Sequence, residues 1–307
     1  MKHIFIINPA AGSRDRTADY KKKIAEICGD RKLNYRIAVS QRPGHCESLA
    51  REAAQSGEDV RIYACGGDGT LNEVAAGAAG YPNAAVTAFS GGSGNDFTKL
   101  FSDPTAFFDL ERLLDCKEVT FDMIRCNDRL SLNICSVGLD ARIGTDVGNY
   151  KRIPLLSGFR AYVVSSVINV IRGIAEPYTV HINGETITGD KTMICACNGR
   201  FYGGGFCPVP EADPTDRLMD VLVVEKVSRL KVLQVIAKYK DGKYKDYPHL
   251  IRHFKTKDFT ISCQKETPVN VDGELMTARE IRFTIAEEKL RFFYPKELTY
   301  KNQEVPV

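Results

Sequence analysis

Three short runs of small residues carry most of the chemistry legible in this sequence. They are Asn8-Pro9-Ala10-Ala11-Gly12-Ser13, Gly66-Gly67-Asp68-Gly69-Thr70 and Gly91-Gly92-Ser93-Gly94-Asn95-Asp96. Each follows an apolar stretch of strand character, at residues 4–7, 60–64 and 85–89. Glycine lets backbone N–H groups approach an anion closely, and the helical pattern that begins after Thr70 adds the partial positive charge of a helix start. Three such loops at one sheet edge favour a phosphate ligand, although each glycine taken singly is also an ordinary turn residue. There is no G-x-G-x-x-G fingerprint opening the first helix and no G-x-x-x-x-G-K-[ST] P-loop. Asp68 stands among the glycines. A carboxylate there repels phosphate unless a cation such as Mg2+ bridges the two, while a plain helix-capping role also fits it.

Asp272-Gly273-Glu274 offers two carboxylates of the kind that can take a proton from a hydroxyl. Asp-Gly is equally a strong hairpin-turn signal, and turn preference alone puts that reading first. The ten cysteines are scattered, mostly inside apolar stretches, and read as reduced thiols acting as small hydrophobes. Cys195 and Cys197 lie two apart on a strand pattern and share a face, but the five histidines supply no matching second ligand pair for zinc. Lys238, Lys240, Lys243, Lys245, Arg252, Lys255 and Lys257 are interleaved with Tyr239, Tyr244, Tyr247 and Phe254. That mixture suits an anionic membrane interface, or a solvated face diluted by Asp241, Asp246 and Asp258.

The elements that must position these groups change character along the chain. Up to about residue 120, strand patterns at 4–7, 35–39, 60–64 and 85–89 alternate with helical patterns at 17–29, 46–55 and 71–79, the signature of βαβ units and a parallel sheet. Beyond it, short apolar runs follow in quick succession at 119–126, 131–137, 178–182, 193–198, 219–224, 259–263, 269–271 and 281–285. Turn signals at Asn183-Gly184 and Asp272-Gly273 separate several of them, as in an antiparallel sandwich or barrel. Helical stripes at 155–174 and 228–240 interrupt this part. With 307 residues, two domains are expected. Forty-two Lys and Arg against 39 Asp and Glu leave a net charge of +3, too even to argue for nucleic acid as a partner. No apolar run of about 18 residues predicts a membrane span, and the N-terminal run lacks the length and cleavage site of an export signal, so a cytoplasmic setting is expected.

Taken together, the motifs resemble the diacylglycerol kinase catalytic family, which includes bacterial soluble lipid kinases and sphingosine kinases. Gly66-Gly67-Asp68-Gly69-Thr70-Leu71-Asn72-Glu73 matches its signature. Asn8-Pro9-Ala10-Ala11-Gly12 resembles its opening NP-x-x-G loop, and Ser40 before Gly44-His45 sits where the family usually has Thr. Gly92-Ser93-Gly94-Asn95-Asp96-Phe97 resembles its GT-x-NDF segment. Asn133, Gly138-Leu139-Asp140-Ala141, Asn198-Gly199, Tyr202-Gly203-Gly204-Gly205, Pro208 and Val271-Asp272-Gly273-Glu274 follow in family order.

The resemblance implies an N-terminal α/β domain of the phosphofructokinase and NAD-kinase kind over 1–122. It further implies a C-terminal β-sandwich over 123–289, and a tail over 290–307 that returns to the first domain. It implies ATP and Mg2+ as cofactors. ATP would be held by Asn8, Pro9, Ala10, Gly12, Ser13, Ser40, Gly66, Gly67, Asp68, Gly69, Thr70, Asn72, Glu73, Gly92, Ser93, Asn95 and Asp96. Asp272, Glu274 and Asp68 would serve catalysis. A structural Mg2+ would lie on Asp213, Asp216 and the Leu218 carbonyl. There the chain departs from the family, because Arg217 replaces a glycine, and a turn requiring positive φ is strained by a side chain. The expected reaction is transfer of the ATP γ-phosphate to a lipid hydroxyl, diacylglycerol giving phosphatidic acid, at the inner face of a membrane, with a homodimer as one expected assembly. A soluble-metabolite kinase of NAD-kinase type and a catalytically silent nucleotide- or lipid-binding regulator are the alternatives.

Overall fold

The computed structural model describes residues 1–12, 14–90, 95–142, 175–228, 231 and 238–300. Among them the chain forms fifteen strands, β1–β15, and four α-helices, α1–α4. It divides into two compact units, Met1–Met123 joined by the segment that begins at Ala286, and Ile124–Ile285.

The first unit alternates β1 (Lys2–Ile7), α1 (Thr17–Asp30), β2 (Tyr35–Val39), α2 (His45–Gln55), β3 (Val60–Cys65), α3 (Asp68–Ala78) and β4 (Ala84–Ala88). β1 pairs in parallel with both β2 and β3, and β3 with β4. β1, β3 and β4 read as nearly unbroken apolar runs because they are covered on both faces; every residue of β4 is buried. α1 turns Tyr20, Ile24 and Cys28 inward at intervals of one helical turn. Two strands complete the sheet, β5 (Cys116–Phe121) and β15 (Leu290–Pro295), in the order β2-β1-β3-β4-β15-β5. β15 runs parallel to β4 and antiparallel to β5. Phe292 of β15 packs among Phe97, Phe101, Phe107 and Phe121, which anchors the late strand in the early core.

The second unit is antiparallel throughout. Its strands are β6 (Ile124–Cys126), β7 (Arg129–Ser131), β8 (Ile134–Gly138), β9 (Glu176–Ile182), β10 (Glu185–Cys197), β11 (Met219–Glu225), β12 (Ile251–Thr256), β13 (Asp258–Val271) and β14 (Glu274–Ile285). The order is β12-β11-β10-β8-β13-β14-β6-β7, with β9 beside β10 and β13. β14 takes one edge of β13 from Asp258 to Val271, so β8 and β9 share its other edge end to end. One apolar cluster gathers Ile124 and Cys126 of β6 together with Val221 of β11, and Phe254 of β12 packs against it. Strands from both ends of the order therefore meet over one core, and the sandwich is a single sheet curled on itself.

Several expected elements are drawn differently. The run at 119–126 breaks at Asp122-Met123, with β5 in one unit and β6 in the other. The runs at 259–263 and 269–271 are one long strand, and that at 131–137 is two. α3 begins at Asp68 rather than at residue 71. β12 went unread because its charged residues hid its alternation. The expected helix at 155–174, and most of that at 228–240, lie outside the described residues.

Candidate functional site

In the first unit, β2 and β3 flank β1 on opposite sides, so the strand order reverses at β1. Ligands of open α/β sheets bind at the carboxyl ends of strands beside such a switch point. The loops that leave β1, β2, β3 and β4 carry Asn8, Ser40, Gly66–Thr70 and Asn95–Asp96, and they are tied to one another. Asn8 donates from Nδ2 to Thr70 Oγ1 at 3.0 Å, and its Oδ1 accepts the Ala10 N–H at 3.0 Å. The Ser40 N–H donates to the Ile7 carbonyl at 2.8 Å. Asn95 Nδ2 donates to the Gly66 carbonyl at 3.3 Å and also to the Ser90 hydroxyl. The Asp96 N–H donates to Asp68 Oδ1 at 2.6 Å.

The glycine at 66 is a steric requirement, since a Cβ there would stand 2.3 Å from Thr70 Oγ1. Gly67 is the N-cap of α3 and offers no side chain to the first-turn N–H groups. A helix start of that kind, at a switch point, is fitted to phosphate. Asp68 is the first residue of α3 and ties that turn to the Asp96 loop, so it belongs to the loop framework rather than to the N-cap position. Thr70 and Asn72 are buried beside it. Pro9, Ala10 and Gly12 stay in the loop after β1, and Gly12 takes a φ of +84°. Glu73 has a different task. Its two carboxylate oxygens accept the Gly44 N–H at 3.1 Å and the Cys46 N–H at 3.0 Å, which caps α2. Ser13, Gly92 and Ser93 lie outside the described residues.

In the second unit the motifs that are far apart in sequence converge around Asp272. This residue sits at the β13–β14 turn with a φ of +49°. Its Oδ2 accepts the Leu132 N–H at 2.7 Å, its Oδ1 accepts the Ile134 N–H at 2.7 Å, and both oxygens share the Asn133 N–H at 3.0 and 3.2 Å. The Asn133 carbonyl in turn accepts the N–H groups of Asn198 and Gly199 at 2.9 and 3.0 Å. Asn198 Nδ2 donates to the Leu132 carbonyl at 2.6 Å. Burial raises the Asp272 pKa above the ordinary aspartate value, against the opposing hydrogen bonds from Ile134, Asn133, Ser131 and Leu132. Glu274, two residues on, is exposed and stands 3.5 Å from Arg129. Asp140 is also raised by burial, and its Oδ2 accepts the Ser136 hydroxyl at 2.6 Å. Gly203, Gly204 and Gly205 all have positive φ, the reason three glycines follow Tyr202 in a loop closed by reciprocal Tyr202–Phe206 backbone bonds.

The loop expected to hold a structural metal runs into β11. Asp213 Oδ1 accepts the Thr215 N–H and hydroxyl at 3.0 and 2.7 Å. Asp216 Oδ1 accepts the Leu218 N–H at 2.9 Å. Arg217 does adopt a left-handed φ of +64°, so the turn survives the loss of its glycine. Among the described residues, no group of three His, Cys, Asp or Glu side chains forms a metal cluster. All ten cysteines are free thiols. Cys195 and Cys197 do share a face, at 3.3 Å between sulfurs, and burial pushes Cys28 and Cys46 up to about 11. The basic cluster of the second unit is substantially paired: Lys238 with Asp246, Lys245 with Glu211, Arg252 with Glu185 and Lys255 with Asp216. No helix among the described residues is long and apolar enough to cross a membrane.

Comparison with known proteins agrees with this geometry. Residues 2–126 match the sequence model of the diacylglycerol kinase catalytic domain, and residues 133–294 that of the YegS C-terminal NAD kinase beta sandwich-like domain. A Staphylococcus carnosus protein named "Putative lipid kinase" is 27% identical over 281 residues, 89% of this chain and 89% of its own. Another from Bacillus subtilis, "Putative lipid kinase YtlR", is 27% identical over 95% of this chain and 99% of its own. Among solved structures, one titled as a "putative diacylglycerol kinase" from Bacillus anthracis superposes with a TM-score of 0.73 at 20% identity, over 95% of this chain and 96% of that one, a likeness of fold. Since the two family models between them account for both units, this chain belongs to the diacylglycerol kinase catalytic family, in the branch that carries a YegS-type C-terminal domain.

Proposed function

We propose that this chain is an ATP-dependent lipid kinase that phosphorylates a lipid hydroxyl, with diacylglycerol as acceptor and phosphatidic acid as product. The observation that carries the reading is the half-buried Asp272 carboxylate, on which the backbone N–H groups of Leu132, Asn133 and Ile134 converge. The glycine edge of the first unit supports it from the nucleotide side. Phosphoryl transfer from ATP to an alcohol needs cradled phosphates and a group that accepts the hydroxyl proton. The acceptor oxygen bonds to the γ-phosphorus as that phosphorus parts from the β–γ bridging oxygen; the proton passes to the Asp272 carboxylate and ADP leaves. The α3 N-terminus and the N–H groups around Gly66 and Gly67 bind the phosphates, and Asn8 and Asn95 keep those loops in register. Asp68 would hold a Mg2+ ion, which would supply neutralisation of the phosphate charge. Glu274 is exposed beside Arg129 and takes no part in the step.

The test is transfer of label from γ-labelled ATP, with Mg2+, into diacylglycerol, monoacylglycerol, a sphingoid base and a polyprenol in detergent micelles, with NAD+ in water alongside. Label in phosphatidic acid is the expected result. Label in another lipid would move the acceptor, label in NADP would replace the lipid reading, and ATP binding without transfer would leave a silent binder.

A further inference from the structure

The loop from Pro208 to β11 is where the family resemblance implies a structural Mg2+, and its donor set in this chain is already engaged. Lys255 of β12 lies directly across from Asp220 of β11 in the antiparallel register. Its ammonium donates to Asp216 Oδ2 at 2.9 Å and stands 3.7 Å from Asp220 Oδ2. Asp220 is only 1% exposed, and its other oxygen is 2.6 Å from His253 Nε2, two residues before Lys255 on the same strand. His253 Nδ1 lies 3.2 Å from the Tyr244 hydroxyl, which donates to Glu211 Oε1 at 2.5 Å. The polar groups thus form a continuous chain from Glu211 through Tyr244, His253 and Asp220 to Lys255 and Asp216.

Mg2+ demands near-octahedral oxygen ligands at short range and gives up its water reluctantly. Asp216 offers one oxygen bonded to the Leu218 N–H and the other to an ammonium, and Asp213 offers one bonded twice to Thr215. That set does not fit the metal. We infer that the Lys255 ammonium takes the place of the structural divalent cation in this chain, so the loop that enters β11 is held by a tethered cation and needs no metal. A buried aspartate such as Asp220 requires a positive partner wherever it comes from; the chain supplies one from its own β12.

The experiment uses the full-length protein without nucleotide, in EDTA or in millimolar Mg2+, read by thermal unfolding and by Mn2+ binding stoichiometry. Wild type should unfold within about 1 °C of the same temperature in both buffers. Lys255→Met should unfold roughly 3–6 °C lower in EDTA, recover part of that loss in Mg2+, and bind one more Mn2+ than wild type. Lys255→Arg should behave as wild type, and keeps the test open should the methionine variant fail to fold. The inference is overturned if Mg2+ raises wild type by several degrees and Asp216→Asn abolishes that gain, or if Lys255→Met is as stable as wild type in EDTA.

Discussion

In the first unit Asn8, Ser40, Gly66 and Asn95 each follow a parallel strand, so the sheet itself delivers them to one edge. In the second unit Asp272 meets backbone N–H groups that lie about 140 residues earlier in the chain, and the antiparallel pairing of β13 with β8 brings them there. The first arrangement is tolerant in its parts, because several loops share the proposed work of holding phosphate. The second hangs on one carboxylate that both positions a turn and carries the proposed chemistry. A perturbation of the two regions should therefore differ in kind as well as in size.

The largest expected effect separates them. Asp272→Asn should lower turnover by about 10²–10⁴-fold while ATP affinity stays near wild type, and Glu274→Gln should cost less than about tenfold. Steady-state label transfer together with ATP titration checks both, and near-full turnover in a folded Asp272→Asn protein would remove the base from the scheme. Because the Asp272 pKa is raised and the base must be unprotonated, the acid limb of kcat/KM should fall at a pH above the ordinary aspartate value of 3.8. Gly66→Ala is the converse perturbation. Its Cβ would collide with Thr70, and ATP affinity should drop by about tenfold or more with the Asp272 network untouched, as calorimetry would show.

A smaller effect sharpens the contrast in stability. His3 is held down to about 4 by burial, then by the charges of Arg61 and the N-terminal amine. A histidine whose folded pKa lies below its unfolded value of 6.5 gives stability that is present above pH 6.5 and lost as the pH falls towards 4. Acid unfolding should thus weaken the first unit through this window, and His3→Asn should flatten that dependence. Asn8→Ala should cost about 1 kcal/mol through its lost bond to Thr70, measured by urea unfolding. The smallest effect belongs to the basic surface of the second unit. Reversing Lys238, Lys240, Lys243 and Lys245 should weaken salt-sensitive binding to anionic vesicles only a few-fold, since Lys238 and Lys245 already hold carboxylate partners.

The same contrast explains what could be read from the sequence. The parallel unit was legible because its strands are continuous apolar runs and its glycine loops follow them directly. The second unit was read in fragments. Solvent-facing residues such as Thr186 and Thr188 break β10 into an apparent short run, and Lys265-Glu266 splits β13 in two. β12 is hidden because Arg252 and Lys255 read as part of a basic surface, whereas the Lys255 side chain faces Asp216. The part Glu73 plays at α2 gave no local signal, since its partners are the backbone N–H groups of Gly44 and Cys46. Nor did the pairing of Asp272 with residues 132–134, which exists only in the folded sheet.

β15 lies between β4 and β5 in the first unit, although the whole of the second unit precedes it in the chain. During synthesis, β4 must therefore wait with an open edge while the ribosome makes every strand from β6 to β14. An unpaired apolar edge is a template for association with other chains. A nascent first unit thus carries an aggregation hazard that the finished protein, with β15 in place, does not. A premature stop just before residue 290 would leave a complete second unit attached to a first unit whose sheet is interrupted in the middle.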